Sequence, residues 1–331
     1  MTYADSAPGA ATSVTGLQKP FNPDPGNHVN TFENPAFAYV AKLSTKSSRV
    51  TTARTLARVA KFFGGELASF RWQDLRHAHM QAFRSWVADS FSHATANRWI
   101  SAVRGVLRMA WRMGLMTIED LERACDIEKV RGTRLLRGRS VAAEELGRLF
   151  DATGQDRYRK RAARDAAVLA VLYGGGLRRS EVVALDLDSF VRDEAPFVQV
   201  VGKGNKERRV YLPEASAEVL TAWIEVRGRH PGPLFVATRP DGSLLPHRMH
   251  LDSVRRIVCK LADRSGVKRV SPHDFRRTYI GDLLDAGADI VTVQALAGHA
   301  DVTTTARYDR RGERTKARAA QLLNLPERRG R

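Results

Sequence analysis

Between residues 34 and 116, apolar side chains recur at helical spacing. Phe37, Val40 and Ala41 open a first stripe, and Ala53, Leu56, Ala57, Val59, Ala60 and Phe63 make a second that stops at Gly64-Gly65. Met80, Phe83, Trp86 and Val87 form a third stripe starting near Asp74. Ala96, Trp99, Ile100, Val103, Leu107, Ala110 and Trp111 form a fourth, ended by Gly114. Four such helices with short links predict a small bundle. Beyond it, Ser140 is placed to cap a helix whose first turn carries Glu144 and Glu145. A helix over 165–173 stops at Gly174-Gly175-Gly176. Residues 197–201 and 209–212 alternate like two strands joined by a turn, and the chain after Val219 reads as mainly helical. The pattern therefore predicts a mostly α fold: an extension (1–30), a four-helix domain (31–126), a linker (127–139) and an α-rich domain (140–331) with one small antiparallel sheet. The extension has four prolines and no periodicity, and the linker is basic and broken by glycines.

Charge narrows the function. The chain has 54 Lys and Arg against 36 Asp and Glu, a net +18. Residues 1–140 hold 20 against 11 and the remainder 34 against 25, so each part carries +9. Two folded basic domains suggest two surfaces facing a polyanion, most simply nucleic acid. Arg71, Arg76, Arg84, Arg98, Arg104, Arg108 and Arg112 fall on the predicted helices of the first domain, either as solvated charges or as the lining of a DNA groove. The longest apolar run, residues 166–177, is too short for a membrane span, and the N-terminus lacks a signal-peptide pattern. Cys125 and Cys259 form no CxxC pair and read as buried apolar residues in a reducing cytosol.

Several chemistries drop out. Gly202-x-Gly204 has no third glycine and no βαβ context, and GxxxxGK[ST] does not occur. His77-x-His79 and His247-x-x-His250 lack further ligands, so neither metal nor nucleotide cofactor is expected. What remains is a series of segments in the second domain: Gly176-Leu177-Arg178-Arg179-Ser180-Glu181, Val201-Gly202-Lys203-Gly204-Asn205-Lys206-Glu207-Arg208, Ser271-Pro272-His273-Asp274-Phe275-Arg276-Arg277-Thr278, Leu296-Ala297-Gly298-His299, and Tyr308. Each alone is weak, but five in this order are specific.

The series resembles the tyrosine recombinase (phage integrase, Xer-like) family over residues 140–310, and the helical segment before it looks like that family's SAM-like core-binding domain. The resemblance implies Arg178 and Arg276 as clamps on the nonbridging phosphate oxygens, because a guanidinium stays protonated and donates in pairs. It implies Tyr308 as nucleophile, near a helix that Asp301 is placed to cap, with His273 as its base and His299 as a donor to the phosphate. Lys203 would protonate the leaving 5′-oxygen, Lys206 and Arg208 would contact the backbone, and Arg98, Arg104 and Arg108 would add DNA contacts from the first domain. Glu181 and Asp274 would orient the arginine and the histidine. Arg277 stands where many relatives have His, and is expected to be neutral for catalysis. An off-by-one exchange of roles between Arg178 and Arg179 is disfavoured by the GLR spacing.

The implied activity is site-specific cutting and rejoining of duplex DNA in integration, excision or resolution, through a 3′-phosphotyrosine. The implied partners are paired DNA half-sites, three further copies in a tetramer, and accessory DNA-bending proteins or a partner recombinase, all in the cytoplasm at the nucleoid. No arm-binding domain is recognisable ahead of the core-binding helices, so a simpler Xer-like or mobile-element recombinase is expected. A type IB topoisomerase-like enzyme and a catalytically silent DNA-binding regulator are the rival readings. The apolar cluster Ala319, Ala320, Leu322, Leu323 and Leu325 reads either as part of its own domain's core or, as the resemblance implies, as a segment that docks on a neighbouring protomer, and docking is expected.

Overall fold

The computed structural model describes residues 33–132, 138–202, 207–299, 301–306 and 308. The expected extension, Lys203, Lys206 and the apolar tail lie outside them. The chain divides into two compact units, Met1–Leu135 and Leu136–Arg331.

The first unit contains α1 (Pro35–Ala41), α2 (Lys46–Phe62), α3 (His77–Ser90), α4 (His93–Arg112) and α5 (Ile118–Cys125). The sequence reading counts four helices; α5 is the fifth. It is short, but Thr117 caps it by accepting from the Asp120 amide at 3.2 Å, and Glu119 and Asp120 sit in its first turn, where the helix dipole favours acids. The α3 helix begins at His77 rather than near Asp74, because a 3-10 turn at Trp72–Asp74 comes first and buries Trp72 completely. The α4 helix supplies the longest apolar face, with Ala96, Trp99, Ile100, Val103, Val106, Leu107 and Ala110 all buried. Trp111, expected on that stripe, is 42% exposed.

The second unit contains α6 (Ala143–Gly154), α7 (Arg159–Gly174), α8 (Arg179–Ala184), the strands β1 (Phe190–Val191), β2 (Phe197–Val201) and β3 (Glu207–Tyr211), α9 (Glu214–Arg227), β4 (Val236–Thr238), β5 (Leu244–Arg248), α10 (Leu251–Ser265), α11 (Pro272–Asp285), α12 (Ile290–Ala297) and α13 (Val302–Ala306). The centre is α7, buried continuously from Ala167 to Leu172 and packed against α6, α9 and α11. Ser140 does not cap α6: the cap position is Ala142, whose amide donates to Glu145 Oε2 at 3.1 Å.

Strands β1, β2 and β3 form an antiparallel sheet in that order, with Val198 opposite Val210 and Val200 opposite Arg208. Val198, Val200 and Val210 are buried on one face, and the two-residue period puts Arg208 on that same face. A second sheet, β4 paired with β5, lies in the part after Val219 expected to be mainly helical, where one small sheet in all was expected. Its hairpin turn is held by Asp241 Oδ1, which accepts from the Ser243 amide and hydroxyl. Cys125 and Cys259 are unpaired and half-buried, rather than fully buried as expected. No helix among the described residues is long and apolar enough to cross a membrane.

Candidate active site

The C-terminal end of α12 organises the site. Gly298 closes that helix in the left-handed region (φ 64°), where a Cβ would stand 2.9 Å from the Arg208 guanidinium. Helix C-termini expose carbonyls that attract cations, and two arginines use adjacent ones here. Arg178 Nη2 donates to the Gly298 carbonyl at 3.0 Å, and Arg276 Nη2 donates to that of Ala297. Arg276, on α11, also donates from Nη1 to the Gly176 carbonyl at 2.7 Å and is only 3% exposed. Burial, then the nearby Arg178 charge, lowers its pKa to about 10, so it remains a cation at neutral pH.

Glu181, 4% exposed at the start of α8, holds Arg178 in place. Its Oε1 accepts from Arg178 Nη1 at 2.8 Å and its Oε2 from the Arg178 amide at 2.8 Å. The same carboxylate takes a two-pronged bond from Arg208, at 3.0 Å on each side. Burial alone would raise the Glu181 pKa, but the Arg208 and Arg178 bonds outweigh it and the net shift is downward. Arg208 was expected to reach the DNA backbone; instead its side chain is 15% exposed and points inward as a brace. Asp274 also departs from expectation: it bonds Ser271 and the Arg139 amide, not His273.

The groups expected around Tyr308 come together. Tyr308 Oη lies 3.4 Å from His273 Nε2, and the rings of Tyr308 and His299 stack with centroids 6.2 Å apart. Asp301 Oδ1 accepts from the Thr303 amide at 2.9 Å at the start of α13, and Tyr308 follows that helix in a turn. Thr305, which the sequence reading missed, places its Oγ1 2.9 Å from His299 Nδ1. Arg277, noted in the sequence only as standing where many relatives have His, has its guanidinium over the Tyr308 ring. In the first unit, Arg98 and Arg108 are exposed on α4, whereas Arg104 turns back to donate to the carbonyls of Cys125 and Ile127. No cluster of three or more metal-ligating side chains occurs among the described residues.

Both histidines are pushed toward the neutral form. Crowding by neighbouring side chains, then Arg276, lowers the pKa of the solvent-facing His273; burial, then Arg276 and Arg178, lowers that of His299 to about 4. An unfolded histidine titrates near about 6.5, so between about 6.5 and about 4 the unfolded chain binds more protons. Stability is therefore expected to fall as pH drops through that window. Thermal melts at about pH 7 and about pH 5 would show it, and His299→Gln should lessen the loss. An identical loss in parent and variant would contradict this account.

Comparison with known proteins agrees with the geometry. A model of the phage integrase family matches residues 139–314. A tyrosine recombinase XerC of Corynebacterium efficiens is 33% identical over 242 residues, which is 71% of this chain and 74% of that protein. One from Rhodospirillum centenum is 32% identical over 291 residues, 85% of this chain and 80% of its own. Two solved structures share the fold. A XerH site-specific recombinase bound to palindromic difH substrate, in a post-cleavage complex, has a TM-score of 0.63 at 19% identity, covering 87% of each chain. A lambda integrase dimer bound to a COC′ core site has a TM-score of 0.60 at 15% identity, covering 84% of this chain and 77% of that one. With the family model spanning the whole cluster and a third of the residues identical over most of the chain, this protein belongs to the phage integrase family and is a Xer-like tyrosine recombinase, an enzyme of site-specific DNA recombination.

Proposed function

We propose that the enzyme cuts one strand of duplex DNA through Tyr308, holds it as a 3′-phosphotyrosine, and passes it to a partner duplex. The observation that carries this reading is the approach of Tyr308 Oη to His273 Nε2 beside two guanidiniums anchored on adjacent carbonyls. His273, kept neutral, takes the phenol proton as the Tyr308 oxygen bonds to phosphorus. Arg178 and the remaining donors of Arg276 bind the nonbridging oxygens as their charge builds. His299 donates through Nε2–H when the Thr305 hydroxyl donates to Nδ1. As the bond from phosphorus to O5′ breaks, Lys203 gives that oxygen its proton. The phosphodiester bond is exchanged rather than hydrolysed, so a free 5′-hydroxyl can reverse the step. Arg98 and Arg108, exposed on α4, are proposed phosphate contacts, as is Lys206. The DNA-bound relatives support paired half-sites as the substrate, and we extend the reading to four copies acting on two sites in the cytoplasm.

The test uses a duplex selected from a randomised library for binding to the full chain. In EDTA, a covalent adduct is expected on the 3′-phosphate side of the break, leaving a 5′-hydroxyl that a polynucleotide kinase labels directly. A 5′-phosphate end, or cleavage that chelation stops and magnesium restores, would overturn the mechanism.

A further inference from the structure

Arg277 follows Arg276 on α11 and has no role in the mechanism above. Its guanidinium carbon lies 5.5 Å from the centroid of the Tyr308 ring, within the range of cation–π attraction. From the same group, Nη1 donates to the Gly138 carbonyl at 2.6 Å. That carbonyl belongs to a segment fastened at several points. The Arg139 amide donates to Asp274 Oδ1 at 3.0 Å, and Arg139 Nη2 donates to the Lys268 carbonyl at 2.8 Å. Gly138 itself adopts φ 96°, and a Cβ there would stand 2.3 Å from Asp274 Oδ1. The guanidinium is thus held at one end by a fixed carbonyl and laid against the phenol ring at the other.

We infer that Arg277 is a positioning residue for the nucleophile: anchored on the Gly138 carbonyl, it holds the Tyr308 ring against His273 and keeps a positive charge beside the ring as the oxygen reacts. The inference rests on Tyr308 being the nucleophile. It also predicts an effect on the base, because the charged groups acting on His273 are Arg276, Arg277 and Arg178, which disfavour its protonation, and Asp274, which favours it. Tyr308 Oη faces it at 3.4 Å.

Full-length parent, Arg277→Met and Arg277→Lys would be compared on a nicked form of the selected duplex, reading half-site affinity and the single-turnover rate of adduct formation against pH. Arg277→Met should bind as the parent does but form adduct about tenfold more slowly. Its acid limb should move to higher pH, because one charge disfavouring protonated His273 is gone. Arg277→Lys should be slowed while keeping the parental limb. Gly138→Ala should also be slow, and the double variant Gly138→Ala, Arg277→Met should be no slower than the worse single. A parental rate for Arg277→Met, or a slower rate with an unmoved acid limb, would overturn the proposal, as would strictly additive slowing in the double variant. Should Arg277→Met fail to bind DNA, a parental rate for Arg277→Lys would overturn it. Adduct formation by Tyr308→Phe would instead overturn the nucleophile reading, which separates the two failures.

Discussion

Tyr308→Phe is expected to bind the selected duplex with parental affinity and to form no covalent adduct on its nicked form. The substitution removes one oxygen and leaves the ring. The stack on His299 and the Arg277 contact both involve that ring, so the surrounding structure should persist. Among the described residues the lost hydroxyl contacts His273 Nε2, at 3.4 Å and an exposed position. Its removal should therefore leave thermal stability nearly unchanged. The chemistry has no substitute, because a phenyl ring offers no atom to bond to phosphorus. An adduct at the parental level on the Phe variant would remove Tyr308 from the mechanism. Parental binding is the necessary control, since it shows that the missing adduct comes from the missing oxygen.

Arg276 should give the second large effect, and the structure changes which substitution tests it. From the sequence, Arg276→Ala is expected to abolish cleavage with affinity nearly intact. The side chain is buried, however, and supplies donors to the carbonyls of Gly176 and Ala297. Alanine would leave both without that partner, at about 1–3 kcal/mol each, so its cleavage defect would be mixed with a lowered melting temperature. Arg276→Lys is the sharper variant. It keeps the charge but cannot span two carbonyls and a phosphate from a single ammonium. We expect single-turnover cleavage to fall about a hundredfold to a thousandfold with a much smaller loss of stability. A lysine variant cleaving at nearly the parental rate would show that charge alone suffices and that the fork is dispensable.

The helices were legible wherever an apolar stripe was long. Leu56, Val59 and Ala60 on α2 and Ile100, Val103 and Leu107 on α4 are buried as their spacing requires. Short elements were less so. The α5 helix is only eight residues long, so its stripe of Ile118, Leu121 and Ala124 is brief, and further evidence lay in the Thr117 cap and the acids after it. The β4–β5 hairpin had a readable signal in Pro240-Asp241-Gly242, a turn sequence between short strands that the helical reading of this region passed over. Trp111 shows the limit of periodicity, since a stripe says which face is apolar but not where the covering neighbour ends.

By itself, the sequence determined the mostly helical plan and, through the resemblance its motifs carry, named the family and the candidate reactive side chains, because these depend on residue type, order and local period. The tertiary structure decided which partners those side chains find. Arg208 lies in phase with Val210 and so faces inward to Glu181, a contact between residues 27 apart. Arg104 turns to the carbonyls of Cys125 and Ile127 at the end of α5 rather than outward. Arg178 and Arg276, nearly a hundred residues apart, meet at neighbouring carbonyls at the end of α12. Arg277, expected from the sequence to be neutral for catalysis, reaches Tyr308 and Gly138 from one side chain. Spacing along a chain encodes local geometry, whereas the direction of a long flexible arginine depends on which carbonyls, carboxylates and rings the fold brings within its reach.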